Sequence, residues 1–248
     1  CCTGATAWQK TGMDRTTEVI LCNYTKGGAG KTTVAVHIAK VLVEQTIGKT
    51  LLVDCDPRPD SWRFFQGSRP QSGQTRVSCR SRLDLLWNPP QSRGSRFKPI
   101  KKAEYSQYDY LVIDSDSPPE DSLTLLSDTL PDLFIIPISQ SQSHSIQDIP
   151  SFLQDIEREV QFIRDSGLDY NPVAKVVPLG VEYQSIESEL QAWEFHHLNV
   201  IIAQPMPPLA QEIQTSLKER KIIWAYPNFD NLKNYFIDLI KVEIPEVE

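Results

Sequence analysis

The chain has 248 residues, 40% of them apolar and 23% charged, which suits one α/β domain with a well-buried core and is too short for two. No run approaches the ~18–20 apolar residues of a membrane span, and five cysteines without a C-x-x-C pair exclude a disulfide or zinc framework. The net charge of −7 is uneven: eleven of the 25 basic residues but only two of the 32 acidic ones lie between Arg58 and Lys102, so a mostly acidic chain carries one basic stretch that need not repel nucleic acid.

Cys1 to Gly12 show neither the apolar stretch of a secretory signal nor a strand or helix pattern. Residues 1–16 are expected to be an N-terminal extension, poorly ordered or not native, with Met13 a candidate start. Residues 17–248 are expected to form a single domain. Glu18–Tyr24 reads as a buried strand, and residues 31–46 as a helix with Ala35, Ile38, Ala39, Leu42 and Val43 on one face. Gly48 ends that helix, and Thr50–Val53 returns as a second strand, completing a βαβ unit.

Residues 67–102 break the pattern. They are rich in Ser, Arg, Gln, Gly and Pro, and are predicted as an irregular basic excursion with one short helix near Leu83–Trp87. Tyr110–Ile113 is an apolar strand, Pro118 and Pro119 open a helix to about Leu130, and Leu133–Ile138 is a central strand. A helix over Ile149–Ile163 follows. Val173–Leu179, Ser185–Phe195 and Val200–Ala203 give strand, helix, strand, and Leu209–Lys218 and Asn231–Lys241 close as helices. The strands are apolar runs, which means burial on both faces, and the alternating order predicts a doubly wound, mostly parallel sheet flanked by helices. Cys22 and Cys55 fall in these runs as buried thiols, which implies a reducing cytoplasm.

Between the first strand and the first helix stands Thr25-Lys26-Gly27-Gly28-Ala29-Gly30-Lys31-Thr32-Thr33. Glycines there let successive N–H groups turn inward around phosphate oxygens. Lys31 is placed to neutralise the β/γ-phosphates, the Thr32 hydroxyl to ligate Mg²⁺, and the helix N-terminus to add partial positive charge. In an open parallel sheet the ligand lies beyond the carboxyl ends of the strands. Asp54, Asp56 and Asp114 fall there. Each alone reads more readily as a cap or turn residue, Asp56 before Pro57 especially. With the glycine loop they point to a Mg²⁺-nucleotide, which needs carboxylates near the metal and a group to orient the attacking water.

The stretch Lys26–Thr33 resembles the deviant Walker A box of the ParA/MinD group of partition ATPases. Leu51-Leu52-Val53-Asp54-Cys55-Asp56-Pro57 resembles that family's second box, and Tyr108–Asp114 its Walker B strand, so the resemblance covers the N-terminal half. It implies a P-loop ATPase fold with ATP and Mg²⁺. Lys26 would reach across a dimer to the partner's nucleotide, Lys31 would hold phosphate in its own subunit, and the loop residues Gly27, Gly28, Ala29, Gly30 and Thr33 would line the phosphates. Thr32 would bind the metal, with Asp54 and Asp114 near its water shell, and Asp56 would position the hydrolytic water. Met206 and Pro207, with Pro208, would pass the adenine. Arg58 stands where the family has Gln. Ser115-Asp116-Ser117 separates Asp114 from the Pro pair, so Asp116 is a rival Walker B acid.

The resemblance further implies slow ATP hydrolysis coupled to a homodimer with ATP at its interface. The cargo would be a plasmid, chromosome or large intracellular body positioned on the nucleoid through non-specific DNA binding, with an adaptor protein stimulating hydrolysis. The basic stretch 69–102 and the cluster Lys218, Arg220 and Lys221 are the candidate DNA contacts. A MinD-like membrane regulator is the alternative. Its amphipathic helix at residues 231–241 is followed by the acidic Val242–Glu248, which anionic lipid repels. A metabolic ATP-dependent enzyme ranks below both, since Cys22 and Cys55 do not stand in cluster-binding loops.

Overall fold

Eight strands form one sheet in the computed structural model, which describes residues 17–24, 26–79, 82–90, 98–115 and 119–241. The strands are β1 (Glu18–Asn23), β2 (Thr50–Asp54), β3 (Arg76–Cys79), β4 (Leu83–Trp87), β5 (Tyr110–Ser115), β6 (Leu133–Ser139), β7 (Val173–Leu179) and β8 (Asn199–Ile202). Their order across the sheet is β3-β4-β2-β5-β1-β6-β7-β8. Only β3 runs antiparallel to its neighbour. The predicted doubly wound, mostly parallel sheet is what the chain adopts.

The helices are α1 (Lys31–Gln45), α2 (Asp60–Gln66), α3 (Lys102–Tyr105), α4 (Pro119–Thr129), α5 (Ile149–Asp165), α6 (Tyr183–Leu190), α7 (Ala210–Glu219) and α8 (Asn231–Ile240). Alternate side chains of each central strand feed opposite cores. Val19, Leu21, Leu51, Val53, Leu111 and Ile113 pack with residues of α4, α5 and α6. Ile20, Cys22, Leu52 and Val112 pack with α1, α2 and α8. This two-sided burial explains why the strands read as continuous apolar runs.

The excursion differs from its prediction. Leu83–Trp87 is a strand, paired with β2 in the register Leu83↔Thr50 through Trp87↔Asp54, and β3 folds back on it. Four apolar residues in a run of five fit either element by periodicity. Burial decides: Leu83 and Leu85 go into the core while Asp84 between them stays half-exposed. The edge strand β3 carries Arg76 and Ser78, which suits a strand with one side unpaired. Helix α6 also stops at Leu190, short of the predicted Phe195. Glu157 on α5 accepts the backbone N–H groups of His196 and His197 and fixes the chain there in a non-helical path.

Helix α1 is fully buried along most of its length and is pinned at its far end by Arg82, whose guanidinium donates to the carbonyls of Val43 (3.1 Å) and Thr46 (2.9 Å). The apolar face of α8, Leu232, Phe236, Leu239 and Ile240, is buried in the α1 core. Lys175 on β7 donates to the Lys241 carbonyl at 2.5 Å and closes the end of α8. No helix among the described residues is long and apolar enough to cross a membrane.

His37 joins α1 to the C-terminal segment. Its Nε2 accepts the Ile223 N–H at 3.1 Å, which requires a bare lone pair there. The proton therefore sits on Nδ1, which donates to the Thr33 carbonyl at 2.6 Å. The neutral ring stacks on Phe236 with centroids 5.0 Å apart and meets Trp224 edge-on. Burial lowers its pKa to about 4, against the weaker upward pull of the Thr33 carbonyl. A depressed histidine contributes stability that is complete above the unfolded pKa near 6.5 and is lost as pH falls through the folded value. Urea unfolding between pH 7 and 4 is expected to show wild type losing about 3 kcal/mol more than His37→Phe. Parallel pH profiles would refute the assignment.

Candidate functional site

The loop after β1 closes over the first turn of α1. Gly28 (φ 76°) and Gly30 (φ 105°) take left-handed backbone, which a Cβ disfavours. A Cβ at Gly30 would also stand 2.4 Å from Leu179 Cδ1. Gly30 is the cap position of α1 and offers no side chain to its first N–H groups, the arrangement that receives an anion at a helix N-terminus. Gly27 is under neither constraint: an added Cβ meets nothing within 4 Å. Ala29 is fully buried and Thr33 nearly so.

The two lysines of the loop are held differently. Lys31, 4% exposed, donates from Nζ to the Lys26 carbonyl at 2.6 Å, bridging the ends of the loop. The Lys26 side chain is 40% exposed and its Nζ lies 3.0 Å from Asp148 Oδ2. Two further contacts tie the loop to the same segment after β6. Ser139 Oγ donates to the Gly28 carbonyl at 2.8 Å, and the Tyr24 hydroxyl donates to the Ser145 carbonyl at 2.5 Å.

Parallel pairing of β2 with β5 sets Asp54 opposite Asp114. Both side chains are almost wholly buried. Asp54 Oδ1 accepts the Asp56 N–H at 3.1 Å and its Oδ2 the Trp62 N–H at 2.9 Å. Asp114 Oδ2 accepts the Ser61 hydroxyl at 2.6 Å, and its carboxylate also bonds the Thr32 side chain. Burial pushes Asp114 up to about 6 although Ser61, Thr32 and the Lys31 charge all pull it down. Burial, then the neighbouring Asp114 charge, raises Asp54 as well. Two desolvated carboxylates beside a hydroxyl therefore lack sufficient positive charge.

These hard oxygen donors fit Mg²⁺, which takes few protein ligands and keeps several waters. No group of three His, Cys, Asp or Glu gathers as a metal site among the described residues. Of the rival acids, Asp114 bonds Thr32, while Asp116 lies outside the described residues. The half-buried Asp56 accepts the Arg58 N–H on Oδ1 at 2.6 Å. It thus opens the Asp-Pro turn as an ordinary turn residue does, with its carboxylate near Asp54.

Met206 forms a parallel bridge with Leu179 at the end of β7: its N–H donates to the Pro178 carbonyl at 2.8 Å and its carbonyl accepts the Gly180 N–H at 2.9 Å. Its side chain is in the core with Leu179, and Pro207 is exposed. Sequence reasoning missed Ser61 and the Trp62 amide, which hold the two carboxylates from α2. Pro59-Asp60, a proline and an acid at a helix start, was the available signal.

Part of the excursion's charge is already engaged. Arg76 donates to the Tyr108 hydroxyl and the Glu104 carbonyl, and Arg82 caps α1. In the second cluster Lys221 sits 4.3 Å from the Tyr226 ring, and the Arg220 guanidinium covers Gly67 so closely that a Cβ there would lie 1.8 Å from it. Arg69, Lys101, Lys102 and Lys218 are exposed. Arg80, Arg93 and Arg96, as well as residues 1–16 and Val242–Glu248, lie outside the described residues.

The CobQ/CobB/MinD/ParA nucleotide binding domain matches residues 20–207 of this chain. Its fold is similar to that of the MinD cell division ATPase of Pyrococcus furiosus, at a TM-score of 0.62 and 17% identity over 90% of this chain and 97% of that one. It is similar to Cyanothece McdA in complex with ATP, at 0.61 and 15% over 92% and 98%. A ParA family ATPase from Chlorobium tepidum matches at 0.59 and 14% over 90% and 97%. No curated protein matches the chain significantly in sequence.

The buried carboxylates predict a contrast. A carboxylate whose pKa is raised on folding contributes stability that is present below the unfolded value near 3.8 and lost as pH rises through about 6. Asp114→Asn removes that loss and keeps an acceptor for Ser61. Asp54→Asn sets an NH₂ group against a backbone N–H, which costs roughly 1–3 kcal/mol. At pH 8 without nucleotide, Asp114→Asn is expected to melt several degrees above wild type and above Asp54→Asn, with the gap to wild type shrinking at pH 5. An Asp114→Asn that melts below wild type at pH 8 would overturn this account.

Proposed function

The chain belongs to the CobQ/CobB/MinD/ParA family of nucleotide binding domains, and we propose that it is a slow Mg²⁺-dependent ATPase that works as a dimerising switch. One observation carries the reading. A single loop presents two lysines, one buried across the phosphate cradle and one half-exposed at its rim. The first suits phosphate of the same subunit, the second suits phosphate of a partner.

In this reading Lys31 and the N–H groups from Gly27 to Thr33 bind the phosphates. Thr32 would hold Mg²⁺, with Asp54 and Asp114 close to its water shell. The ion would supply the positive charge that the two carboxylates lack and would neutralise charge on the phosphates. Asp56 orients the water that attacks. Lys26 leaves Asp148 for the partner's γ-phosphate. An ion pair this exposed is worth about 0–1 kcal/mol, so exchanging it costs little. Loss of the γ-phosphate then weakens the dimer, the differential interaction that a switch needs. Pro207 and its neighbours, beside Leu179, are the proposed adenine side.

We assign the dimer's output to non-specific DNA binding that positions a cargo on the nucleoid, with an adaptor protein stimulating hydrolysis in the cytoplasm. Family membership and the exposed Arg69, Lys101, Lys102 and Lys218 support this. The buried apolar face of α8 gives the membrane alternative no support.

Light scattering of Asp56→Ala is expected to show a monomer without nucleotide and a dimer with Mg²⁺-ATP. Adding Lys26→Ala should abolish the dimer while calorimetry still detects ATP binding. A monomer in the first case would end the switch reading. The ATP-locked dimer should also bind random-sequence DNA at 50 mM salt and lose affinity about a hundredfold by 200 mM, as roughly three or four phosphate contacts imply. Absence of binding at low salt would remove the DNA assignment.

A further inference from the structure

The Asp54-Cys55-Asp56 segment leaves the sheet at a point where its backbone bonds change hands. The last ladder contacts are Cys55 N–H to the Asp114 carbonyl at 2.9 Å and Asn88 N–H to the Asp54 carbonyl at 2.8 Å. Beyond them Asp56 is tied by local bonds, its N–H to Asp54 Oδ1 and its Oδ1 to the Arg58 N–H. One contact comes from afar. The Trp87 indole Nε1–H donates to the Asp56 carbonyl at 3.0 Å, across a separation of 31 residues.

Trp87 is the last residue of β4, opposite Asp54 in the register, and half-buried. Its backbone N–H bonds the Thr75 carbonyl at 2.7 Å, so β3's approach fixes it from the other side. The next residue, Asn88, anchors the strand end again through Nδ2 to the Lys98 carbonyl at 2.8 Å. The indole is thus mounted on rigid structure, whereas the Asp56 peptide it holds belongs to a turn.

We propose that Trp87 is a positioning residue for hydrolysis: by fixing the Asp56 carbonyl it fixes the direction of the Asp56 carboxylate toward the attacking water. This rests on the reading of Asp56 given above. Attack geometry is sensitive to small displacements, while ATP binding relies on the loop and α1, and the Trp87 N–H groups donate instead to Asp56 and Thr75. Losing the indole donor should therefore slow turnover and spare affinity.

The test compares wild type, Trp87→Phe, Asp56→Ala and the double variant in steady-state ATP turnover, with ATP affinity measured by calorimetry. Trp87→Phe keeps a ring and removes the donor. Its kcat is expected to fall about tenfold, the scale of one hydrogen bond, with ATP affinity and ATP-dependent dimerisation unchanged within twofold. In the Asp56→Ala background the same substitution should change residual turnover less than twofold, because residues acting through one group are not additive. Should Trp87→Phe disturb the hairpin, seen as a lowered melting point, benzothienylalanine at position 87 keeps the indole shape and removes only the N–H. Undiminished kcat in either variant, or equal slowing with and without Asp56, would overturn the proposal. Full turnover in Asp56→Ala itself would instead remove the role given to Asp56.

Discussion

Parallel pairing of β2 with β5 forces Asp54 and Asp114 side by side in a buried place, and much of the local structure answers that constraint. An ionised pair in low dielectric repels and is poorly solvated. The chain supplies two backbone N–H groups to Asp54 and two hydroxyls to Asp114, and sets Lys31 near enough to lower the latter. Apart from the Asp56 N–H, which belongs to the turn after β2, those donors come from α2 and from the first turn of α1. The helix that starts at Asp60 and the phosphate loop are therefore coupled through one cluster. Burial still wins at both carboxylates, so the site retains an appetite for positive charge.

That cluster depends on α1 being immobile, and the fold secures α1 from three directions. Arg82 closes its C-terminal end, His37 locks its middle to Ile223, and α8 covers its outer face. The loop ahead of it is in turn held by the Ser139–Asp148 segment through a hydroxyl, a carbonyl and an ion pair. A phosphate binding in the loop would act on rigid helix behind it and on a separate segment beside it. The first favours precise placement; the second offers a route by which occupancy reaches the surface.

Sequence pattern made most of this architecture legible. β1, β5, β6 and β7 are apolar runs of six or seven residues, and α5 and α8 carry clean helical faces. Helix α1, buried nearly all round, and the short β2 are placed by the glycine loop and turn signals around them. The loop was legible because its chemistry demands glycines and a lysine at fixed places. The β3–β4 hairpin was not, because five residues cannot display a period and Arg76 and Arg82 look like solvent charge until their carbonyl and hydroxyl partners are known. Ser61 and Trp87 escaped for a related reason. A hydroxyl or an indole becomes functional only through a partner 53 or 31 residues away, and no local window contains that information.

The difference between the two loop lysines follows from burial alone. Lys31 is almost sealed, and its ammonium must keep a hydrogen-bonding partner at every moment or incur the cost of an orphaned buried charge. Such a group can trade the Lys26 carbonyl for a phosphate oxygen of its own subunit, but it cannot swing out to meet another molecule. Lys26 stays in water on one side, and its bond to Asp148 is screened and weak. Water solvates it during any transfer, so it can change partners without crossing a large barrier. A loop with only the buried lysine would bind nucleotide and nothing more. In the proposed switch, a second, wet lysine five residues upstream would give the same loop a means of sensing a neighbour.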